Sequence, residues 1–115
     1  MDVSTAMSGM LGKYLDLNAE QMKLTAGNMA NIDTPGYKTR GFDFETEFAA
    51  AMKGSTSAPQ TDEVDGLVAR PDGNTVSMDR ESLQLAKTQL QFRTGVELLK
   101  HEFSRVLSAI HAESK

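Results

Sequence analysis

Asn28-Met29-Ala30-Asn31-Ile32-Asp33-Thr34-Pro35-Gly36-Tyr37-Lys38 carries the chain out of one periodic apolar segment and into a turn. The proline removes a backbone donor and drives Thr34 out of the α region, so a helix arriving from the N-terminal side stops here. Pro35-Gly36 suits the centre of a type II turn, where glycine supplies a positive φ. Upstream, residues 5 to about 32 read as one helix, roughly 40 Å long at 1.5 Å per residue. One stripe runs Leu11, Leu15, Asn18, Met22, Thr25, Met29, Ile32, and a second runs Met7, Met10, Tyr14, Leu17, Gln21, Leu24, Asn28, Asn31. Spacings of three and four lay each stripe along one side of a helix, and together they demand more than one neighbour. Ser4 or Thr5 caps the start.

Downstream, Tyr37 to Arg40 reads as extended, and Phe44, Phe48 and Met52 then fall at helical spacing. Asp43 can cap, Glu45 and Glu47 occupy the first turn, and Lys53-Gly54 closes a short helix over 44–52. Phe42, Phe44 and Phe48 alternating on a strand is the other reading. Residues 54–66 have linker composition and are expected to be mobile unless a partner holds them. Pro71-Asp72-Gly73-Asn74 is a turn. From Ser77 to about Ala112 a second long helix carries Leu85, Gln89, Phe92, Val96, Leu99, Phe103, Val106 and Ile110 as a coiled-coil seam. Leu83, Leu90, Leu98 and Leu107 lie beside it, and Arg93, Glu97, Lys100, Ser104 and Ser108 form the wet strip. The expected fold is all-α: two long terminal helices in an antiparallel coiled-coil-like hairpin, with a short irregular middle. It reads as a single domain in three parts, 1–34, 35–76 and 77–115.

Composition bounds the function. Leu, Ile, Val and Phe supply only 24 of 115 residues, Trp is absent and 7 Met fill part of the gap. So lean a core favours a chain that gains burial from partners over a self-sufficient enzyme. With no Cys there is no disulfide framework, thiolate metal site or cysteine nucleophile. The first residues lack the basic and apolar regions of a Sec signal, and no apolar run approaches the roughly 20 residues that span a bilayer. Net charge is −4, but residues 41–75 hold seven acids against only Lys53 and Arg70. The ends are near neutral and able to self-associate, while the middle prefers water. No basic, aromatic-studded face exists, which disfavours nucleic acid.

Chemistry has no foothold. His101-Glu102 begins like a zinc-protease motif, but Arg105 stands where the second histidine would be. His111 is ten residues on, about 15 Å along a helix, too far to share a metal. No catalytic residue, metal ligand or cofactor site is expected. Asn28 and Asn31 within an apolar stripe either fix helix register or mark fraying beside the turn. Gly9, Gly12, Gly27 and Gly95 are either tolerated or allow close helix contacts in an assembly.

The phrase from Asn28 to Lys38 resembles the signature of the bacterial flagellar rod and hook proteins, approximately A-x-N-(I/L)-A-N-x-x-T-P-G-Y, with Met29 where a branched aliphatic residue is commoner. Gly41-Phe42-Asp43-Phe44, the stretch Asn74 to Glu81, the Leu-x-Leu-Ala-x-x-Gln-Leu-x-Phe pattern at 83–92 and the stretch Phe103 to Ile110 are similar to the small proximal-rod branch of that family. Residues 53–73 match nothing specific. The resemblance implies a structural subunit of the basal-body proximal rod in the periplasmic space, exported by the flagellum-specific type III apparatus without a Sec signal. It implies terminal helices that order on assembly and bury Leu11, Tyr14, Leu15, Met22, Asn28, Asn31, Leu85, Phe92, Val96, Leu99, Phe103, Val106 and Ile110 against neighbours. The signature turn would comprise Asn31, Thr34, Pro35, Gly36 and Tyr37. The implied partners are further copies of the chain, the junction protein FliE, the rod subunits FlgC and FlgF, and the export-gate proteins, with no direct membrane insertion. A soluble helical adaptor or chaperone for flagellar export substrates is the alternative.

Overall fold

A computed structural model of the chain describes residues 3–113, with side chains from Ala6 onward. Three helices, α1 (Val3–Ala30), α2 (Phe44–Met52) and α3 (Met78–Glu113), account for most of it. A two-residue antiparallel pair, β1 (Arg40–Gly41) with β2 (Asp62–Glu63), joins Arg40 to Glu63 and Gly41 to Asp62. The molecule is a long hairpin, 70 × 25 × 17 Å. The capping expected of Ser4 or Thr5 falls outside the described side chains.

α1 ends where the proline phrase requires. Its last turn tightens through Asn31 N–H to Asn28 O (3.1 Å) and Ile32 N–H to Met29 O (3.3 Å). Tyr37 N–H then closes on Thr34 O at 3.2 Å with Gly36 at φ +77°, the type II turn. The segment after it is helix rather than strand: α2 sets Phe44 and Phe48 against Tyr14, edge to face at 5.5 and 5.9 Å. Asp43 occupies the cap position of α2, but its carboxylate accepts from the Thr46 hydroxyl (2.8 Å), not from a backbone N–H. At the other end Lys13 Nζ donates to Ala51 O at 2.7 Å, meeting the negative end of the α2 dipole.

Residues 54–66, read from sequence as a linker, contain β2. Val64 N–H donates to Thr39 O (2.9 Å) and Gln60 N–H to Glu47 Oε1 (2.6 Å), while the Arg40 guanidinium holds Thr61 O (2.8 Å).

α1 and α3 run antiparallel, with Asn28 opposite Glu81 and Leu15 opposite Gly95. Along α3 the buried positions are Glu81, Thr88, Gly95 and Glu102, each seven residues from the last. Along α1 they include Leu11, Asn18 and Thr25, with the same spacing. Seven is the coiled-coil period. The content of this seam is unusual, because the largest fully buried side chains are all polar: Glu81, Asn18, Asn28, Asn74, Thr25, Thr39 and Thr88.

The seam expected on α3 is therefore displaced. Leu85, Phe92, Val96, Leu99 and Val106 are half-buried along its flank, and Gln89, Phe103 and Ile110 are exposed. Gly95 explains the shift. A Cβ there would lie 2.8 Å from Leu15 Cδ2 and 3.1 Å from Tyr14 Cδ2, so the helices approach too closely for large residues between them. Small or hydrogen-bonded polar groups fill the centre, with Asn18 Oδ1 the one buried side-chain oxygen among the described residues that lacks a partner, and bulk is pushed to the sides. Thr88 donates to Gln84 O (2.8 Å) and accepts from Gln84 Nε2 (3.2 Å), Gln21 Nε2 reaches Thr25 Oγ1 (3.1 Å), and Asn18 Nδ2 reaches Tyr14 O (2.9 Å). These bonds within each helix reduce the cost of polar burial.

Among the described helices and strands α2 packs only on α1. Among the same elements α3 contacts only α1, so the flank that carries Leu85, Phe92 and Leu99 receives no third element.

Candidate functional site

Two asparagines, Asn28 and Asn74, build the loop end of the hairpin, each donating and accepting through its carboxamide. Asn28, fully buried on α1, donates from Nδ2 to Glu81 Oε1 (2.6 Å) and Arg40 O (2.9 Å). Its Oδ1 accepts from Arg40 N–H (3.1 Å) and the Tyr37 hydroxyl (3.3 Å). Glu81 has its second oxygen 2.6 Å from Arg80, an ion pair in which the carboxylate is 1% exposed. Asn28 thus locks α1 to α3 and to the chain leaving the signature turn, which is register fixation rather than fraying. Asn31 acts locally: Nδ2 donates to Gly27 O (2.8 Å) and Oδ1 accepts from Thr34 Oγ1 (3.0 Å).

Asn74 closes α1 from a distance. Its Nδ2 donates to the carbonyls of Asn31 (2.9 Å), Ile32 (3.1 Å) and Thr34 (2.8 Å) just past the helix end, adding to the one other donor each of them has. Its Oδ1 accepts from Val76 N–H at 2.7 Å, and Arg70 also donates to Ile32 O. The two turns seat against each other: Gly36 N–H donates to Asp72 O at 2.9 Å, and a Cβ on Gly73 would sit 3.4 Å from Gly36 Cα. Gly73, at φ +87°, is thus glycine for both backbone and space. Thr75 Oγ1 accepts from Thr39 N–H (2.8 Å) and donates to Thr39 Oγ1 (3.0 Å), completing the seal.

Sequence reading marked the first half of this knot and missed the second. Asn74, Glu81, Arg70 and Thr75 are named by partners some 36 to 53 residues away. The signals there were the Pro71-Asp72-Gly73-Asn74 turn and the family likeness of the stretch Asn74 to Glu81, and neither names a partner.

Of the residues expected at an assembly interface, Leu11 and Asn28 are already buried inside the chain. Tyr14, Leu15, Met22, Asn31, Leu85, Phe92, Val96, Leu99 and Val106 are half-buried, and Phe103 and Ile110 are open. The signature residues Thr34, Pro35 and Gly36 are exposed and Tyr37 is half-buried. An open cleft of about 530 Å³ lies between the starts of α2 and α3 and the β pair. Its charged walls are mostly engaged already: Glu81 by Asn28 and Arg80, Arg40 by Thr61, Asp43 by Thr46, Glu47 by Gln60 N–H. Among the described residues no three His, Cys, Asp or Glu come together as metal ligands, and no helix is long and apolar enough to cross a membrane.

What the geometry offers is a polar knot at one end and exposed apolar surface along α3, an arrangement suited to packing against other chains. No family model matches the chain. Among individual proteins it is similar to the flagellar basal body rod protein FlgB of Salmonella typhimurium, 30% identical over 119 residues that cover 84% of this chain and 86% of the relative. FlgB of Escherichia coli K12 is 30% identical over 121 residues, covering 85% and 88%. FlgB of Cereibacter sphaeroides is 31% identical over 120 residues, covering 91% and 94%. The chain belongs to the FlgB family of flagellar basal body rod proteins.

Proposed function

We propose that this chain is an axial building block of the proximal rod, exported by the flagellar type III apparatus and locked into place through its terminal helices. The observation that carries the reading is the unfinished side of α3, where Leu85, Phe92, Val96, Leu99 and Val106 are half-buried and Phe103 and Ile110 are open. At roughly 25 cal/mol per Å², covering such a flank repays much of the entropy of ordering long helices. The knot around Asn28 and Asn74 holds the loop end as one piece, so assembly needs to order only the far end. Further copies of the chain, FliE, FlgC, FlgF and the export-gate proteins are the neighbours this reading names, in the periplasmic part of the basal body.

Deleting the chain from its motile host tests the reading. Loss of swimming, with basal bodies that lack a rod by electron microscopy, is the expected outcome. Normal rods would overturn it, and recovery of the chain only as a soluble complex with export substrates would favour the adaptor alternative.

A further inference from the structure

The outer face of α3 is a different surface from the flank just described. Leu83 and Leu90, 73% and 65% exposed, stand two residues past buried Glu81 and Thr88, about 200° round the helix at 100° per residue. Arg93 and Lys100 stand five residues past Thr88 and Gly95, about 140° round. Exposed Leu107 continues their line. This face turns away from α1 and combines apolar groups with two cations and one acid, Glu97, which stands two residues past Gly95 on the line of Leu83 and Leu90.

The acidic middle forms a separate surface. α2 and β1 pack on α1, and Asp62 and Glu63 border the cleft whose α3 wall is Arg80, Glu81 and Gln84, at the start of that helix and not on its outer face. Among the described residues none of Glu45, Asp62, Glu63 and Asp65 forms an ion pair within 4.0 Å, and neither does Arg93. Lys100 reaches only Glu97, at 3.6 Å with both side chains about 70% exposed, a contact of the weak surface kind. Val68, 90% exposed, adds an apolar point close to the acidic segment.

We propose that the outer face of α3 docks the acidic surface around residues 45–68 of a second copy of this chain. Opposite charges on two different surfaces favour a heterologous contact, one patch of one copy on the other patch of the next, over an isologous dimer that would set like against like. A heterologous contact that does not close generates a helical array. Leu83, Leu90 and Leu107 supply the apolar part that such an interface buries. The contact rests on reading the chain as a rod subunit, and it adds which surfaces of successive copies meet.

Charge exchange in the full-length chain, expressed in the deletion strain, tests it. Arg93→Glu with Lys100→Glu, and separately Asp62→Lys with Asp65→Lys, should each lower the amount of the chain in purified basal bodies at least tenfold. Circular dichroism of each purified variant should match the parent, since these side chains are exposed. All four changes in one chain should restore incorporation, because every copy then carries the reversed pair. If the parent is incorporated and either double variant is incorporated equally, or the fourfold variant recovers nothing, the contact is wrong while the rod reading stands. If the parent itself is absent from basal bodies, the rod reading fails and the contact falls with it.

Discussion

Asn28 Nδ2 and Glu81 Oε1 lie 2.6 Å apart, joining the two long helices across 53 residues of sequence, and Arg80 closes the other carboxylate oxygen at the same distance. Around this pair the register of the hairpin is set, because a slip of one residue strands a buried carboxylate. Asn28→Ala should destabilise the chain by about 2–4 kcal/mol, through lost charged hydrogen bonds and an incompletely solvated Glu81. Asn28→Asp should cost more, since it sets a second carboxylate against the first. Glu81→Gln keeps an acceptor for Asn28 and should cost least. Urea unfolding followed by circular dichroism checks the order, and an Asn28→Ala variant as stable as the parent would remove the pair from the account.

Gly95 and Gly27 separate close approach from mere tolerance. Gly95→Ala gains helix propensity but presses on Leu15 and on Tyr14, whose ring is held by the edges of Phe44 and Phe48, so a net loss of about 1 kcal/mol is expected. Gly95→Val should lose about 2–3 kcal/mol. Nothing lies within 4 Å of a Cβ on Gly27, and Gly27→Ala should stabilise the isolated chain by about 1 kcal/mol. Thermal melts of the three variants decide the signs.

Asn74→Ala leaves the carbonyls of Asn31, Ile32 and Thr34 without their shared donor. A loss of about 2–3 kcal/mol should follow, localised to the end of α1. Hydrogen exchange should quicken at Thr34, Gly36 and Tyr37 while the seam amides of α3 hold. Asn74→Asp, which points a charge at three carbonyls, should be worse than alanine.

These three sites differ in how far sequence alone reveals them. The helices of α1 and α3 are legible because the apolar periods are long and because Pro35-Gly36 and Ser77 mark their ends. The α1 seam is legible too, since Leu11, Asn18 and Thr25 fall in the first apolar stripe. The α3 seam is not, because Glu81, Thr88, Gly95 and Glu102 are polar or small. A search for apolar repeats settles instead on the bulky residues that the Gly95 approach displaces. Asn74 and the β pair are invisible for another reason: two-residue strands have no period, and a cap supplied from 40 residues away has no local spacing. The rule that misplaced the seam picks out instead the half-buried residues of the flank beside it.

Gly36 carries the turn whose direction the knot depends on. Gly36→Val places a β-branched residue at φ +77°, a strain of about 1–3 kcal/mol, and disturbs the N–H that Asp72 O accepts. The chain should still be synthesised, but rods should not form. Swimming-plate assays of the complemented strain read the result, and normal motility would refute the assigned role of the turn.

The unfinished flank of α3 is the centre of this account, and Phe103 tests it most directly, because it is 60% exposed in the chain by itself. Phe103→Asp removes apolar surface from the flank without opening the fold. The measurement is the amount of Phe103→Asp chain in purified basal bodies, relative to the parent at matched expression. A variant with unchanged circular dichroism and melting that is missing from the rod, in cells that do not swim, is the predicted result. A variant incorporated at the parent's level in swimming cells would contradict assembly through this surface.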